Sequence, residues 1–256
     1  MIRAINYQSR PLRRILLWIF LGLVVAQGVY LAATIVQQTH VNDITCSGTP
    51  DDCALARATL HAIAKNPAQY LHSLTFQYGI PSDQMLGGFT TTYGDTWVDG
   101  EADTDAKRAL VIHEYGHTVD FRQLTGTPRS TSTPFTFRTL PTFEDDPSYA
   151  FYTISWTNPT TQKKTAKPQD FVTDYARASP IEDFAESYAY FILSRHSFES
   201  RAKTDAAIKA KFAFMKKLFP PDFSVAVGLP SDGGIPGSTS DVPYVWLSDA
   251  PRVTVK

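Results

Sequence analysis

Two histidines and a glutamate in the segment His113-Glu114-Tyr115-Gly116-His117 form the pattern H-E-x-x-H. Residues four apart share one face of a helix, with Cβ atoms about 5 to 6 Å apart, so both imidazoles can bind one metal ion. Glu114 then lies beside the ion, where it can act as general base toward a zinc-bound water. The chain has only six histidines and six glutamates, so chance is a poor explanation of the pattern. The spacing predicts a zinc site on a helix.

A catalytic zinc needs a third protein ligand, and residues 180–186 offer two glutamates four positions apart. The residues after the motif contain neither the glycine nor the third histidine of the longer three-histidine pattern. Glu182 is therefore the predicted third ligand, and Glu186 is predicted to accept a hydrogen bond from the outer nitrogen of a ligating histidine. An alternative stays open, because Ser179 and Glu182 also have the spacing of a helix capping box. Asp120 is predicted either to orient a ligand or loop or to lie exposed on the helix.

The two blocks together resemble a known family. Residues 113–120, with the sequence HEYGHTVD, and Tyr175 seven positions before Glu182 are similar to the catalytic domain of anthrax lethal factor and the related Pro-Pro endopeptidases, among the glutamate-liganded zincins. The resemblance covers roughly 30 residues. It implies a zincin-like fold, the two histidines and Glu182 as ligands, Glu114 as base, and Tyr175 as hydrogen-bond donor to the developing oxyanion. The large additional domains of lethal factor are missing, so its substrate is not implied.

Several elements must position these residues. Apolar periodicity and capping signals predict four helices, over residues 54–74, 104–124, 179–193 and 202–218. Residues 87–100, rich in threonine and aromatic residues, predict one or two short strands. Within them, residues 89–98 are predicted either as an edge strand along which an extended peptide pairs or as an ordinary strand. The segment YAFYTISW, residues 149–156, predicts a strand of a hairpin that turns at Asn158-Pro159. Helices alternating with a few strands indicate a mixed α+β domain.

The N-terminal segment carries a membrane signal. Residues 15–36 run for 22 residues without a charge, and a helix of this length spans about 33 Å, enough to cross a bilayer. Four arginines precede the segment and no acidic residue occurs before Asp43, so residues 1–14 are predicted to be cytoplasmic. The sequence predicts a signal anchor at 15–36 with residues 37–256 outside the cytoplasmic membrane. A cleaved signal peptide followed by secretion is the alternative.

The two cysteines of the chain, Cys46 and Cys53, follow this segment closely. In an oxidising compartment they are predicted to form a disulfide that closes a small loop. The alternatives are two free thiols, or one thiol that inhibits the zinc site. At the other end of the chain, residues from about 221 onward form a Pro/Gly/Ser-rich tail, predicted to be a surface loop.

The charge balance limits the partners. Of the 24 basic residues, the 20 that follow residue 14 accompany 25 acidic ones, and a weakly acidic body argues against nucleic acid as partner. The sequence therefore predicts a zinc endopeptidase that hydrolyses extracytoplasmic peptide or protein substrates and contacts the membrane through its N-terminal helix. The competing interpretation is a surface-anchored binding module with a zincin-like fold and no turnover.

Overall fold

The computed structural model describes residues 44–79, 87–137 and 140–219, and these form a mixed α+β architecture. The predicted anchor at 15–36 and the predicted tail from about 221 lie outside the described residues. Among the residues that are described, no helix has both the length and the apolar character required to cross a bilayer. The predicted α+β class is confirmed for this part of the chain.

The first half of the described chain builds a sheet and the helices that cover it. Its elements are β1 (Thr45–Ser47), α1 (Pro50–Ile63), β2 (Ser73–Gln77), β3 (Gly88–Thr90), β4 (Asp95–Asp99) and α2 (Thr104–Thr118). A π-helical turn, Val119–Gln123, extends α2.

The second half is mainly helical. Its elements are β5 (Ser132–Phe137), β6 (Leu140–Phe143), α3 (Pro147–Ser155), β7 (Trp156–Asn158), β8 (Thr161–Gln162), α4 (Pro180–Leu193), α5 (Arg195–Arg201) and α6 (Ala206–Leu218). A short 3₁₀ turn, Tyr175–Arg177, lies just before α4.

The sheet has the strand order β1-β2-β4-β3, with β3 at one edge. Strands β1, β2 and β4 are parallel, whereas β3 runs antiparallel to β4 and pairs Thr90 with Thr96. Burial alternates along β2 and β4, where Leu74, Phe76 and Val98 are buried. Since side chains alternate between the faces of a strand, one face of the sheet packs on the core. Thr90 and Thr96 are buried polar residues of the same sheet.

Helices α2 and α4 form the centre of the molecule. Helix α2 begins at Asp103, whose side chain accepts a hydrogen bond from the backbone nitrogen of Ala106. From Ala109 to Thr118 every residue of α2 is buried, because the helix is covered on more than one side. A Cβ atom added to Gly116 would lie 3.1 Å from the Cα atom of Ala185. A glycine at this position therefore lets α2 approach α4 closely.

Two predicted elements are wrong. The helix predicted over 54–74 ends at Ile63, and strand β2 follows from residue 73. Pro67 explains the early end, because proline cannot continue a helix and disfavours helical geometry in the residue before it. The strand predicted at 149–156 is helix α3. Asp146 caps this helix and Pro147 occupies its first turn, signals that outweigh the β propensity of the aromatic residues.

Other predictions hold in part. The turn at Asn158-Pro159 is confirmed, although the strands on its two sides, β7 and β8, are only three and two residues long. The helix predicted over 202–218 is α6 alone, which begins only after Asp205, its N-cap. The disulfide between Cys46 and Cys53 is confirmed and joins β1 to α1.

Candidate metal centre

Helices α2 and α4 bring three metal-binding side chains to one point. The Nε2 atoms of His113 and His117 lie 3.2 and 3.3 Å from the same oxygen, Oε2 of Glu182. One ligand atom from each of the three residues lies within 4.8 Å of the others. In the sequence, Glu182 follows His113 by 69 positions and His117 by 65. The close contact between α2 and α4 at Gly116 nevertheless places the three residues side by side. The group can hold a metal ion.

The polar atoms of this group fit a cation better than they fit one another. Oε2 of Glu182 is buried, and no described residue gives it a hydrogen bond of good geometry. Burial alone would raise the pKa of Glu182, but the neighbouring His117 and His113 imidazoles hold it well below its ordinary value. The carboxylate is therefore ionised beside two imidazole nitrogens. Two imidazoles and one carboxylate are ligands that divalent zinc accepts.

The outer nitrogen of His113 is held by a chain of hydrogen bonds. Its Nδ1 atom lies 2.7 Å from Oε1 of Glu186, where the sequence predicted this contact. The hydroxyl of Thr173 donates to the other Glu186 oxygen at 2.5 Å, and itself accepts from the backbone nitrogen of Ala176 at 3.0 Å. A carboxylate at Nδ1 favours the tautomer that keeps Nε2 free to bind a metal.

Glu114 lies on the sheet side of the cleft. It is buried, and the hydroxyl of Thr90 donates to its Oε2 atom at 2.6 Å. A Cβ atom at Gly88 would come within 2.8 Å of the Glu114 carboxyl carbon. Burial raises the pKa of Glu114, and the charges of His117 and His113 offset only part of that effect. A carboxyl group with a raised pKa can exchange a proton nearer to neutral pH.

Tyr175 approaches the group from the 3₁₀ turn before α4. Its ring centroid lies 6.1 Å from that of His113, with the planes tilted by 48°. Burial, followed by the charges of Glu182 and Glu114, raises the pKa of the phenol. The hydroxyl therefore stays protonated and can donate a hydrogen bond. The five residues His113, Glu114, His117, Tyr175 and Glu182 line one open cleft, together with Gly88 and Thr90.

No protein-family model, curated protein or solved structure matches the chain. The resemblance to the glutamate-liganded zincins therefore remains a prediction that depends on residues 113–120, Tyr175 and Glu182. What this site can do chemically has to follow from its own donors, acceptors and charges.

Aromatic and aliphatic side chains form the walls of the cleft. Phe121, in the π-helical turn, stacks on His117 with centroids 5.6 Å apart and on Phe137 with centroids 4.5 Å apart. Phe89 of β3 and Ile181 of α4 complete the apolar lining. The cleft therefore combines apolar walls with a small number of polar groups, as pockets for organic ligands commonly do.

Asp120 is buried, so the interpretation as an exposed helical residue is wrong. It accepts a hydrogen bond from the hydroxyl of Tyr152 on α3. Among the described residues, Nδ1 of His117 has no hydrogen-bond partner, and neither has the second oxygen of Asp120. The carboxylate thus binds α3 rather than the histidine. Burial raises the pKa of Asp120 to about 7, although the neighbouring hydroxyls of Ser148 and Tyr152 lower it.

Sequence reasoning missed Thr90, Gly88 and Thr173. Thr90 lies in the segment 89–98, predicted as an edge strand for peptide pairing, and Gly88 immediately precedes it. Their contacts with Glu114 have no pattern in the sequence, because they depend on how β3 docks on α2. Thr173 had one usable signal, its position two residues before Tyr175 and just ahead of the block that resembles the zincins.

Proposed function

We propose that the protein is a zinc-dependent endopeptidase with a zincin-like catalytic domain. One observation carries the proposal: the Nε2 atoms of His113 and His117 converge on one oxygen of Glu182 in a cleft that also contains Glu114 and Tyr175. Metal ligands, a carboxylate base and a protonated phenol in one cleft are the groups that peptide hydrolysis requires.

His113, His117 and Glu182 would hold the zinc, and three protein ligands leave a coordination position open, as is usual for catalytic zinc. When bound, zinc supplies a Lewis acid that polarises a carbonyl oxygen and makes water more acidic. Two histidines and a carboxylate also bind iron in non-haem oxygenases. Glu114 favours the hydrolytic alternative, because a carboxylate beside the ligands is a proton acceptor that hydrolysis needs.

The protein's own side chains would move the protons. Glu114 accepts the proton of the attacking water and later delivers it to the leaving amine, a dual role that a raised pKa assists. Tyr175 donates its phenol hydrogen to the oxygen that becomes negatively charged in the tetrahedral intermediate. Glu186 keeps the His113 ring in the orientation that binds metal.

We further propose that this domain works outside the cytoplasmic membrane, tethered by residues 15–36 or released after their cleavage. The disulfide between Cys46 and Cys53 supports this location, because such bonds persist in oxidising compartments and are rare in the cytosol. The substrate would then be an extracytoplasmic peptide or protein.

Digestion of a peptide library tests the proposal. The full-length protein is purified in detergent, its metal is identified, and it is compared with Glu114→Gln. The wild type should contain zinc and cleave peptides, whereas Glu114→Gln should retain zinc and cleave none. Glu199→Gln, an exposed change on α5, is the matched control and should cleave like the wild type.

Three results would contradict the proposal. Zinc in a wild type that cleaves no peptide would favour the binding module. Iron in place of zinc would favour redox chemistry. Cleavage by Glu114→Gln at the wild-type rate would exclude Glu114 as the base.

A further inference from the structure

The proposed reaction uses the carboxylate of Glu114 but leaves open what keeps it in place. Of the described residues, Thr90 is the one whose hydroxyl reaches that carboxylate at hydrogen-bond distance, and it belongs to the edge strand β3 rather than to either helix of the metal centre. We infer that Thr90 is a positioning residue for Glu114, supported by Thr96 and Gly88. The inference rests on the proposed function for its kinetic part and on geometry alone for its structural part.

The hydrogen bonds at Thr90 have a defined direction. Its hydroxyl has one proton and three oxygen neighbours: Oε2 of Glu114 at 2.6 Å, Oγ1 of Thr96 at 2.9 Å and the backbone oxygen of Glu114 at 3.2 Å. An ionised carboxylate is the strongest acceptor of the three, so it receives the proton. The hydroxyl of Thr96 then donates to Thr90. The result is a relay from Thr96 to Thr90 to Glu114.

The second oxygen of the carboxylate is restrained by shape. Gly88 lies against it so closely that a Cβ atom there would stand 2.8 Å from both the carboxyl carbon and the Cγ atom of Glu114. The Thr90 hydroxyl donates a hydrogen bond to one carboxylate oxygen of Glu114, and the absence of a side chain at Gly88 leaves just enough room for the other oxygen. Both residues are in register with β4, Gly88 opposite Val98 and Thr90 opposite Thr96. The sheet thereby fixes the side chain of a residue on α2.

Burial makes this arrangement costly to lose. Glu114, Thr90 and Thr96 are each less than 5% exposed, so water cannot readily replace a missing hydroxyl. A buried carboxylate without its donor changes conformation or becomes protonated. A base must hold its orientation to within a fraction of an ångström for efficient proton transfer, and a shift of about 1 Å can cost roughly 100-fold in rate.

Two substitutions at Thr90 separate the hydroxyl from the methyl group. Thr90→Val keeps the shape and removes the donor, whereas Thr90→Ser keeps the donor and removes the methyl. We expect Thr90→Val to lower kcat by about 10 to 100-fold, with KM and zinc affinity unchanged. Thr90→Ser should retain most of the wild-type kcat. Thr96→Val, which removes only the first donor of the relay, should lower kcat by less than Thr90→Val does.

Crystal structures of the same variants test the inference without any measurement of activity. In Thr90→Val the carboxylate of Glu114 should leave the position that it has in the wild type, and in Thr90→Ser it should remain. If Thr90→Val does not fold, Thr96→Val provides the same comparison with a smaller displacement. A wild type without peptidase activity would overturn the proposed function, and the structures would still decide the role of Thr90.

Three results would overturn the inference itself. The first is an unmoved Glu114 carboxylate in Thr90→Val. The second is a wild-type kcat in that variant. The third is a parallel loss of zinc affinity and kcat in both Thr90 variants, which would mean that the strand only supports the fold.

Discussion

Two neighbouring residues of α4, Glu182 and Asp183, belong to buried charge clusters of opposite kinds. Asp183 is wholly buried and forms an ion pair with Lys211 of α6 at 2.7 Å. It also accepts from the indole nitrogen of Trp156 at 3.0 Å, while Lys211 donates to the backbone oxygen of Asp170 at 2.8 Å. Both charges therefore have a partner of opposite sign and additional hydrogen bonds. This cluster is closed.

The cluster around Glu182 is open by comparison. Its positive partners are His113 and His117, which carry charge only when protonated, and two more carboxylates, Glu114 and Glu186, lie beside them. The side chain of Glu182 is 19% exposed, whereas the side chains of Asp183 and Lys211 are fully buried. Burying carboxylates without a cation is costly. The closed cluster therefore stabilises the fold, whereas the open one could hold an added positive charge.

The greatest loss of function should follow from removing a charged ligand of the open cluster. Glu182→Gln removes the charged ligand and should lower zinc affinity by about 1,000-fold or more, beyond the 10 to 100-fold typical of a partner that only orients a ligand. Glu186→Gln should fall within that smaller range. Competition with a chelator of known affinity measures both variants.

Ser179→Ala is the control for the capping interpretation. The hydroxyl of Ser179 accepts from the backbone nitrogen of Glu182 at 3.2 Å, so this change should cost about 1 kcal/mol of stability and leave zinc affinity unchanged. Wild-type zinc affinity in Glu182→Gln would contradict the assignment of the third ligand.

A large loss of stability should follow from removing the cation of the closed cluster. Lys211→Met leaves the Asp183 carboxylate buried without its cation and should lower the free energy of unfolding by about 3 to 5 kcal/mol. Adding Asp183→Asn should recover much of that loss, since no uncompensated charge then remains. Urea denaturation at pH 7 measures both proteins. If Lys211→Met were as stable as the wild type, the contrast between the two clusters would fail.

A change remote from both clusters tests whether a loss of stability alone lowers zinc affinity. Replacing Cys46 and Cys53 together by serine removes the disulfide between β1 and α1. The loop is short, so the loss should be about 2 kcal/mol of stability. Zinc affinity should not change, because neither residue contacts the metal centre. Denaturation and chelator competition on the same sample check both statements, and a fall in zinc affinity would show that the centre depends on global stability.

A further comparison concerns Asp120, which lies between the two cases. One oxygen accepts from Tyr152 and the other has no described partner. Burial raises its pKa to about 7 in the folded protein, whereas an unfolded aspartate has a pKa of about 3.9. The folded state therefore holds the extra proton between about pH 4 and pH 7. Its contribution to stability is fully present below about pH 4 and is lost as the pH rises to about 7.

Asp120→Asn should remove this pH dependence, whose slope is at most about 1.4 kcal/mol per pH unit. Urea denaturation of both proteins from pH 4 to pH 8, with a chelator present, gives the difference in free energy of unfolding. The wild type should lose stability relative to the variant as the pH rises through this window. A difference that is independent of pH would contradict the raised pKa of Asp120.

Short-range patterns predicted most of the candidate site. The helix that carries His113 and His117, and the i, i+4 pair Glu182 and Glu186 on one face of α4, follow from the 100° rotation between successive helical residues. The same rotation turns Asp183 away from that face, by about 100° from Glu182. Its partner Lys211 could not be predicted, because a single lysine 28 positions away has no periodic signal.

The fold was less predictable than the site, for a related reason. Helix α3 was predicted as a strand because its aromatic residues have high β propensity. Besides its local cap at Asp146, packing supports the helix, since Phe151 contacts Phe184 of α4 and Phe214 of α6. Thr90 belongs with this group, since its contact with Glu114 depends on how β3 docks on α2. Helix caps and residue spacing can be recognised in a short stretch of sequence, whereas the docking of one element on another depends on residues far apart in the chain.

The ion pair between Asp183 and Lys211 also sets an order of events during synthesis. The ribosome makes all of α2, the sheet and α4 before it reaches Lys211, and at about 5 to 20 residues per second the 28 positions from Asp183 to Lys211 take about 1 to 6 seconds. Until then α4 cannot bury the Asp183 side without leaving a charge uncompensated. Glu182 lies on the same turn of the same helix, so the nascent chain already contains all three metal ligands before α6 can supply the cation that compensates Asp183.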